Sequence, residues 1–143
     1  MKGGFSFTLL IMAICVLSGP GAALAADLQL SIHHAPTASA RMYVALFDNA
    51  ESMTANRPTA SRIVDIQGNP TLVTFRGLDN GNYAFIAFAD ENANGKLDTN
   101  LIGMPTERYG FSNDAIGFMG PPRFDAASVR LDGADRNIAI NLR

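Results

Sequence analysis

Thr71-Leu-Val-Thr-Phe-Arg76, Asp79-Asn80-Gly81 and Tyr83-Ala-Phe-Ile-Ala-Phe-Ala89 follow one another in the middle of this 143-residue chain. The first and last are rich in β-branched and aromatic residues and too short for amphipathic helices, so each reads as a strand. The triplet between them is a tight-turn signature, because Asn and Gly tolerate positive φ. Tyr83–Ala89 is the most apolar strand of the sequence. Strand, turn, strand is therefore the unit from which the fold is read.

The same period of two extends in both directions. Upstream, Arg62-Ile-Val-Asp-Ile-Gln67 is a strand joined to Thr71–Arg76 through Gly68-Asn69, with Pro70 at the strand start. Glu51–Thr59 is polar and contains Pro58, which makes it a loop with room for a short helical turn. Arg41-Met-Tyr-Val-Ala-Leu-Phe-Asp48 has apolar residues on both faces, as a central strand does, whereas Asp27-Leu-Gln-Leu-Ser-Ile-His33 alternates as a half-buried one. Downstream, Ala127–Leu131 and Asn137–Leu142 alternate again, bridged by Asp132-Gly133. About seven short strands with turns between them and no helical period predict an all-β fold, a single antiparallel β-sandwich of the prealbumin or immunoglobulin-like kind. The pattern fails between Thr99 and Phe124, where Gly103, Gly110, Gly117, Gly120 and three prolines are mixed with Ile102, Met104, Tyr109, Phe111, Ile116 and Phe118. So many large apolar residues predict a long ordered loop packed against the sheets.

The first 25 residues read differently. Lys2 is followed by a nearly unbroken apolar run, Phe5 to Leu17, then by Ser18-Gly19-Pro20-Gly21 and Ala23-Leu24-Ala25. Basic start, apolar run, breaker and small-x-small site describe a signal peptide cleaved after Ala25. The apolar run falls short of the roughly 20 residues a membrane span needs. The expected domain is thus residues 26–143, periplasmic or secreted, with no span after cleavage. The one cysteine, Cys15, lies in the removed segment, so the exported chain has no disulfide to stabilise it. Eleven Lys+Arg against thirteen Asp+Glu leave no basic footprint for nucleic acid.

Asp90-Glu-Asn-Ala-Asn-Gly-Lys-Leu-Asp98 is the stretch that carries chemistry. Oxygen-bearing side chains recur at its first, third, fifth and ninth positions, with Gly at the sixth. Calcium takes six to eight oxygen ligands, and a short loop supplies them by turning alternate residues inward around a sharp bend. Asp90, Asn92, Asn94 and Asp98 would offer side-chain oxygens and Lys96 its backbone carbonyl. A helix–loop–helix calcium hand would place Glu at position twelve, where this chain has Leu101. The nine-residue form suits a loop after a strand, holding Ca²⁺ as a structural ion at roughly 10⁻⁴–10⁻³ M. The competing reading is an Asx-rich turn whose side chains cap their own backbone without an ion.

Further stretches add a resemblance: Thr74-Phe-Arg-Gly-Leu78, Gly81-Asn-Tyr83, the Asp90–Asp98 loop, Gly103-x-Pro105-x-Glu107-x-Tyr109-Gly-Phe-Ser-Asn113 and Gly120-Pro-Pro-x-Phe124. Together they resemble the secreted bacterial family catalogued as domain of unknown function 2141. The strand–turn–strand part is also similar to transthyretin-like and carboxypeptidase-regulatory-like sandwich modules. The resemblance implies one exported β-sandwich, usually an accessory or binding domain, and supplies no catalytic residues.

The Tyr109–Phe124 loop has two readings. As a ligand-contact surface for an envelope protein or a glycan, Tyr109 and Phe111 would stack while Glu107, Asn113 and Arg123 made polar contacts. As structure, the aromatics would plug a sandwich edge. Glu107 could complete a calcium shell or pair with an arginine. His33-His34 is a poor metal pair, because adjacent strand residues point to opposite faces. No nucleophile elbow or zinc spacing occurs, and the predicted protein is not an enzyme. A hydrolase using Asp90, Asp98 and Glu107 would need two carboxylates at an open cleft.

Overall fold

The computed structural model describes residues 24–36 and 40–143. The expected signal peptide, apart from Leu24 and Ala25, lies outside the described residues. The chain is mostly β: β1 (Ala26–His33), β2 (Arg41–Phe47), a helical turn α1 (Ala50–Thr54), β3 (Ala60–Asp65), β4 (Thr71–Leu78), β5 (Gly81–Asp90), β6 (Tyr109–Phe111), a second helical turn α2 (Phe124–Ala127), β7 (Val129–Leu131) and β8 (Arg136–Asn141). One sheet has the order β4-β1-β8. The other runs β3-β2-β5-β6, with β7 also on β5.

Both sheets turn their apolar faces onto one core. β1 alternates strictly, and its Leu28, Leu30 and Ile32 are fully buried with Val73 and Phe75 of β4 and Ile140 of β8. Met42, Val44 and Leu46 of β2 and Phe85, Ala87 and Ala89 of β5 face them from the second sheet. Pairing sets these layers in register: Leu30 lies between Val73 and Ile138, and Val44 opposite Ala87. The apolar character of β5 on both faces has its reason in a second, smaller cluster. Ala84 and Ile86 on its outer face pack with Phe111, Ala115, Ala127, Tyr109 and Phe124.

Three expectations are corrected. Among the described residues the strands number eight rather than about seven, because Tyr109–Phe111 pairs with Ile86–Phe88 as β6. The sandwich is not wholly antiparallel: β8 runs parallel to β1, with Leu28 opposite Arg136 and His33 opposite Asn141. Alternation has the same period in either direction, so strand direction is set by the connections. The 99–124 segment packs only in part, since Ile102, Met104, Ile116 and Phe118 are exposed while Phe111 is buried. The turn carrying Ile102 and Met104 is closed by its own backbone bonds, Asn100 N–H to the Met104 carbonyl and Gly103 N–H to the Asn100 carbonyl.

Candidate functional site

β5 delivers Asp90 to the end of the second sheet, in register with Arg41 at the start of β2. Asp90 is 1 % exposed, and its carboxylate faces the loop rather than water. Its Oδ1 accepts from the N–H of Asn94 at 3.2 Å and its Oδ2 from that of Gly95 at 2.8 Å. The chain must reverse over these residues, which puts Ala93 and Gly95 at φ 60 and 75. Gly95 takes this left-handed conformation without the steric penalty a Cβ brings. The other Asx residues continue the pattern. Asn92 Oδ1 accepts from Asn94 N–H at 3.2 Å, and Asn94 Oδ1 from Lys96 N–H at 2.9 Å. The Asp98 carboxylate accepts from Asn94 Nδ2 at 2.7 Å and, at close range, from Asn92 Nδ2.

The loop therefore gathers the side chains of Asp90, Asn92, Asn94 and Asp98 on a single turn. Lys96 contributes backbone, and its side chain is exposed. Each asparagine turns its amide nitrogen to Asp98 and its oxygen to a backbone N–H, which satisfies a self-capped Asx turn. A half-turn of each terminal amide exchanges these atoms and brings two further oxygens toward Asp98. The donor set is then entirely hard oxygen, as calcium requires. No group of three or more His, Cys, Asp or Glu side chains gathers among the described residues, so the set depends on its two amides.

Glu107 settles into a role the sequence left open. It is 9 % exposed, and its Oε1 accepts from Glu91 N–H at 3.0 Å while Oε2 accepts from Asp98 N–H at 3.1 Å. One carboxylate thus clamps both ends of the loop, and Thr106 N–H to the Asp98 carbonyl at 2.8 Å ties the flank. The ion pairs among the described residues are Arg41–Asp65, Arg57–Glu51 and Arg123–Asp125, so Asp90, Asp98 and Glu107 belong to none of them. Asp90 and Glu107 face backbone amides, not a cleft. Two shallow depressions among the described residues lie elsewhere, on the outer face of β4-β1-β8 and along the β3–β4 connection.

The other candidate contacts do not form one surface. Phe111 is interior, and Tyr109 is half-buried with the Arg143 guanidinium 5.8 Å over its ring. Asn113 donates through Nδ2 to the carbonyls of Ala126 and Ser128, pinning the segment to α2. Arg123 is exposed and pairs with Asp125. The exposed large apolar residues of the 99–124 segment are Leu101, Ile102, Met104, Ile116, Phe118 and Met119. The rings of His33 and His34 lie 6.5 Å apart, with His33 half-buried and His34 exposed, and no group of three metal-ligating side chains includes them among the described residues.

Sequence reading missed Ser112 and Asn100. Ser112 is fully buried; its Oγ accepts from Phe85 N–H at 2.9 Å and donates to the Ala127 carbonyl at 2.5 Å, holding the 109–128 segment on β5. A serine in an irregular loop gives no signal of that kind. Asn100 did leave one, an Asx residue three positions before Gly103. No curated protein and no solved structure matches the chain significantly. The family described as "Uncharacterized protein conserved in bacteria (DUF2141)" matches residues 30–139, from the middle of β1 to the middle of β8, and the chain belongs to that family.

Proposed function

We propose that this is an exported, non-enzymatic β-sandwich of the prealbumin or immunoglobulin-like kind whose Asp90–Asp98 loop takes up Ca²⁺ as a structural ion. The observation that carries the reading is electrostatic. Two buried carboxylates, Asp90 and Glu107, tie the turn through backbone N–H groups, and neither they nor the nearby Asp98 belongs to an ion pair among the described residues. Buried charge is costly unless it is paired or bound to a metal. Backbone N–H groups offset part of that cost, and a divalent cation would offset more. Export is supported by the 1–25 pattern and by β1 beginning at Ala26, the residue after the expected cleavage site.

At 2 mM Ca²⁺ and a Kd of roughly 10⁻⁴–10⁻³ M, the ion adds about 0.6–1.8 kcal/mol. That corresponds to a rise in melting temperature of about 2–10 °C for a domain of this size. Asp98→Asn keeps the side-chain shape and removes one charge, so it abolishes most of the rise with little change in chelator. Equal melting temperatures in calcium and in chelator would refute the reading. The intact mass of the exported protein tests cleavage after Ala25 independently.

A second reading, an accessory module for an envelope protein or a glycan, is favoured by Phe118. Its ring is 93 % exposed between the equally unburied Ile116 and Met119. Within the Tyr109–Phe124 loop, this reading draws its support from the exposed residues 116–119, since Phe111 is buried.

A further inference from the structure

The sequence contains two Asn-Gly pairs, Asn80-Gly81 and Asn94-Gly95, and the fold treats them differently. In such a pair the backbone nitrogen of Gly can attack the side-chain carbonyl carbon of Asn, and Gly brings no Cβ to hinder the approach. Ring closure makes a succinimide and expels the side-chain amide as ammonia. Gly81 opens β5 and sits in the ladder opposite Leu131 of β7, which fixes its backbone. Gly95 lies on the exposed candidate loop, at φ 75.

On that loop each reacting atom has a partner. The nucleophile, Gly95 N–H, donates to Asp90 Oδ2 at 2.8 Å, so a carboxylate is placed to take its proton. Asn94 Oδ1, where negative charge gathers as the carbon becomes tetrahedral, accepts from Lys96 N–H at 2.9 Å. Asn94 Nδ2, the leaving nitrogen, donates to Asp98 Oδ1 at 2.7 Å. Asn94 and Gly95 are both exposed, so water reaches the ring once it forms.

We propose that Asn94 is a self-modification site, converted to aspartate and isoaspartate through a succinimide with Gly95, with Asp90 as the proton acceptor. The Gly95 nitrogen bonds to Asn94 Cγ as its proton passes to Asp90. The tetrahedral carbon then breaks its bond to Nδ2, which leaves as ammonia after regaining that proton through solvent water. A second water opens the ring, at Cγ to give aspartate or at the main-chain carbonyl to give isoaspartate. Either product loses the donor to Asp98 and adds a carboxylate to the turn, so conversion loosens the ion-free loop. Under the calcium reading the new carboxylate is a further hard oxygen ligand, but the conversion does not rest on that reading.

The full chain is incubated in chelator, in water enriched in heavy oxygen, so that only conversion during the incubation carries the label. Trypsin then releases Gly77–Lys96, which contains both Asn-Gly pairs, and fragment masses read the two positions in one peptide. In the folded chain, labelled product at position 94 should accumulate about tenfold faster than at Asn80, or more. In urea, where the loop partners are gone, the two rates should converge. Equal rates in the folded chain, or the same preference in urea, overturn the proposal. Asn94→Asp, one product in defined form, should melt lower than the parent in chelator, and equal melting temperatures would overturn the loosening.

Discussion

Tyr83 sits where β5 begins, with its ring in the main core and its hydroxyl donating to the Asp79 carbonyl at 2.9 Å. Burial, with Asp79 and Asp48 nearby, pushes this phenol above its usual value of 10.0. The folded chain therefore favours the neutral form. The stability this contributes is complete below pH 10 and is lost as pH rises through the folded value. Tyr83→Phe keeps the ring and removes both the hydrogen bond and the titration. We expect a loss of about 0.5–1.5 kcal/mol at pH 7 and a flatter decline of stability above pH 10, read from urea midpoints across that range. Equal alkaline slopes in the two chains would contradict this account. The turn that sets Tyr83 in place, Asp79-Asn80-Gly81, is the feature from which the fold was read.

Among the elements, strands with enough residues to show a period were legible, and short ones were not. β1 spans eight residues and announces its buried face through Leu28, Leu30 and Ile32. β6 has three, with Gly110 at its centre, and three residues cannot distinguish alternation from chance. The Gly110 position is required by space, since a Cβ would lie 2.8 Å from the Asn141 carbonyl oxygen and 2.9 Å from Ile140 Cγ2. That close approach of β6 to β8 is long-range information, absent from the local sequence. The candidate loop was legible as a spacing of oxygen-bearing residues. The Glu107 clamp was not, because its partners are backbone groups at Glu91 and Asp98. The strands also differ in what they contribute. Leu30→Ala leaves a cavity in the central strand of its sheet and should cost about 2–5 kcal/mol. Ile63→Ala, on the exposed side of the edge strand β3, should stay within about 0.5 kcal/mol. Chemical denaturation of both variants decides it, and comparable losses would show that β3 is covered in solution.

Across the whole molecule, the two sheets are joined at both margins without a disulfide among the described residues. On one side β3 turns directly into β4 and so passes from the second sheet to the first. On the other side β7 likewise leads into β8, and residues 142 and 143 add non-covalent bonds. Leu142 N–H donates to the His33 carbonyl at 3.1 Å, extending the parallel β1–β8 pair of the first sheet. Arg143 exchanges backbone bonds with Tyr109 of the second sheet, at 3.2 and 3.0 Å. Leu142 is buried, and the Arg143 guanidinium spans from the Tyr109 ring to the Ala115 carbonyl. Two residues thus bind both sheets. Ending the chain at Asn141 removes one buried leucine and three backbone hydrogen bonds, a loss of about 2–5 kcal/mol. Arg143→Ala keeps the backbone bonds and should cost about 0.5–1.5 kcal/mol. The truncated chain should also exchange the amide hydrogens of Tyr109 and Phe111 faster, while those of Val44 and Ala87 speed up only by the global loss of stability. An unchanged urea midpoint for the truncated chain would show that the β6–β8 margin closes without its last two residues, and that the packing of Ile140 against Gly110 suffices.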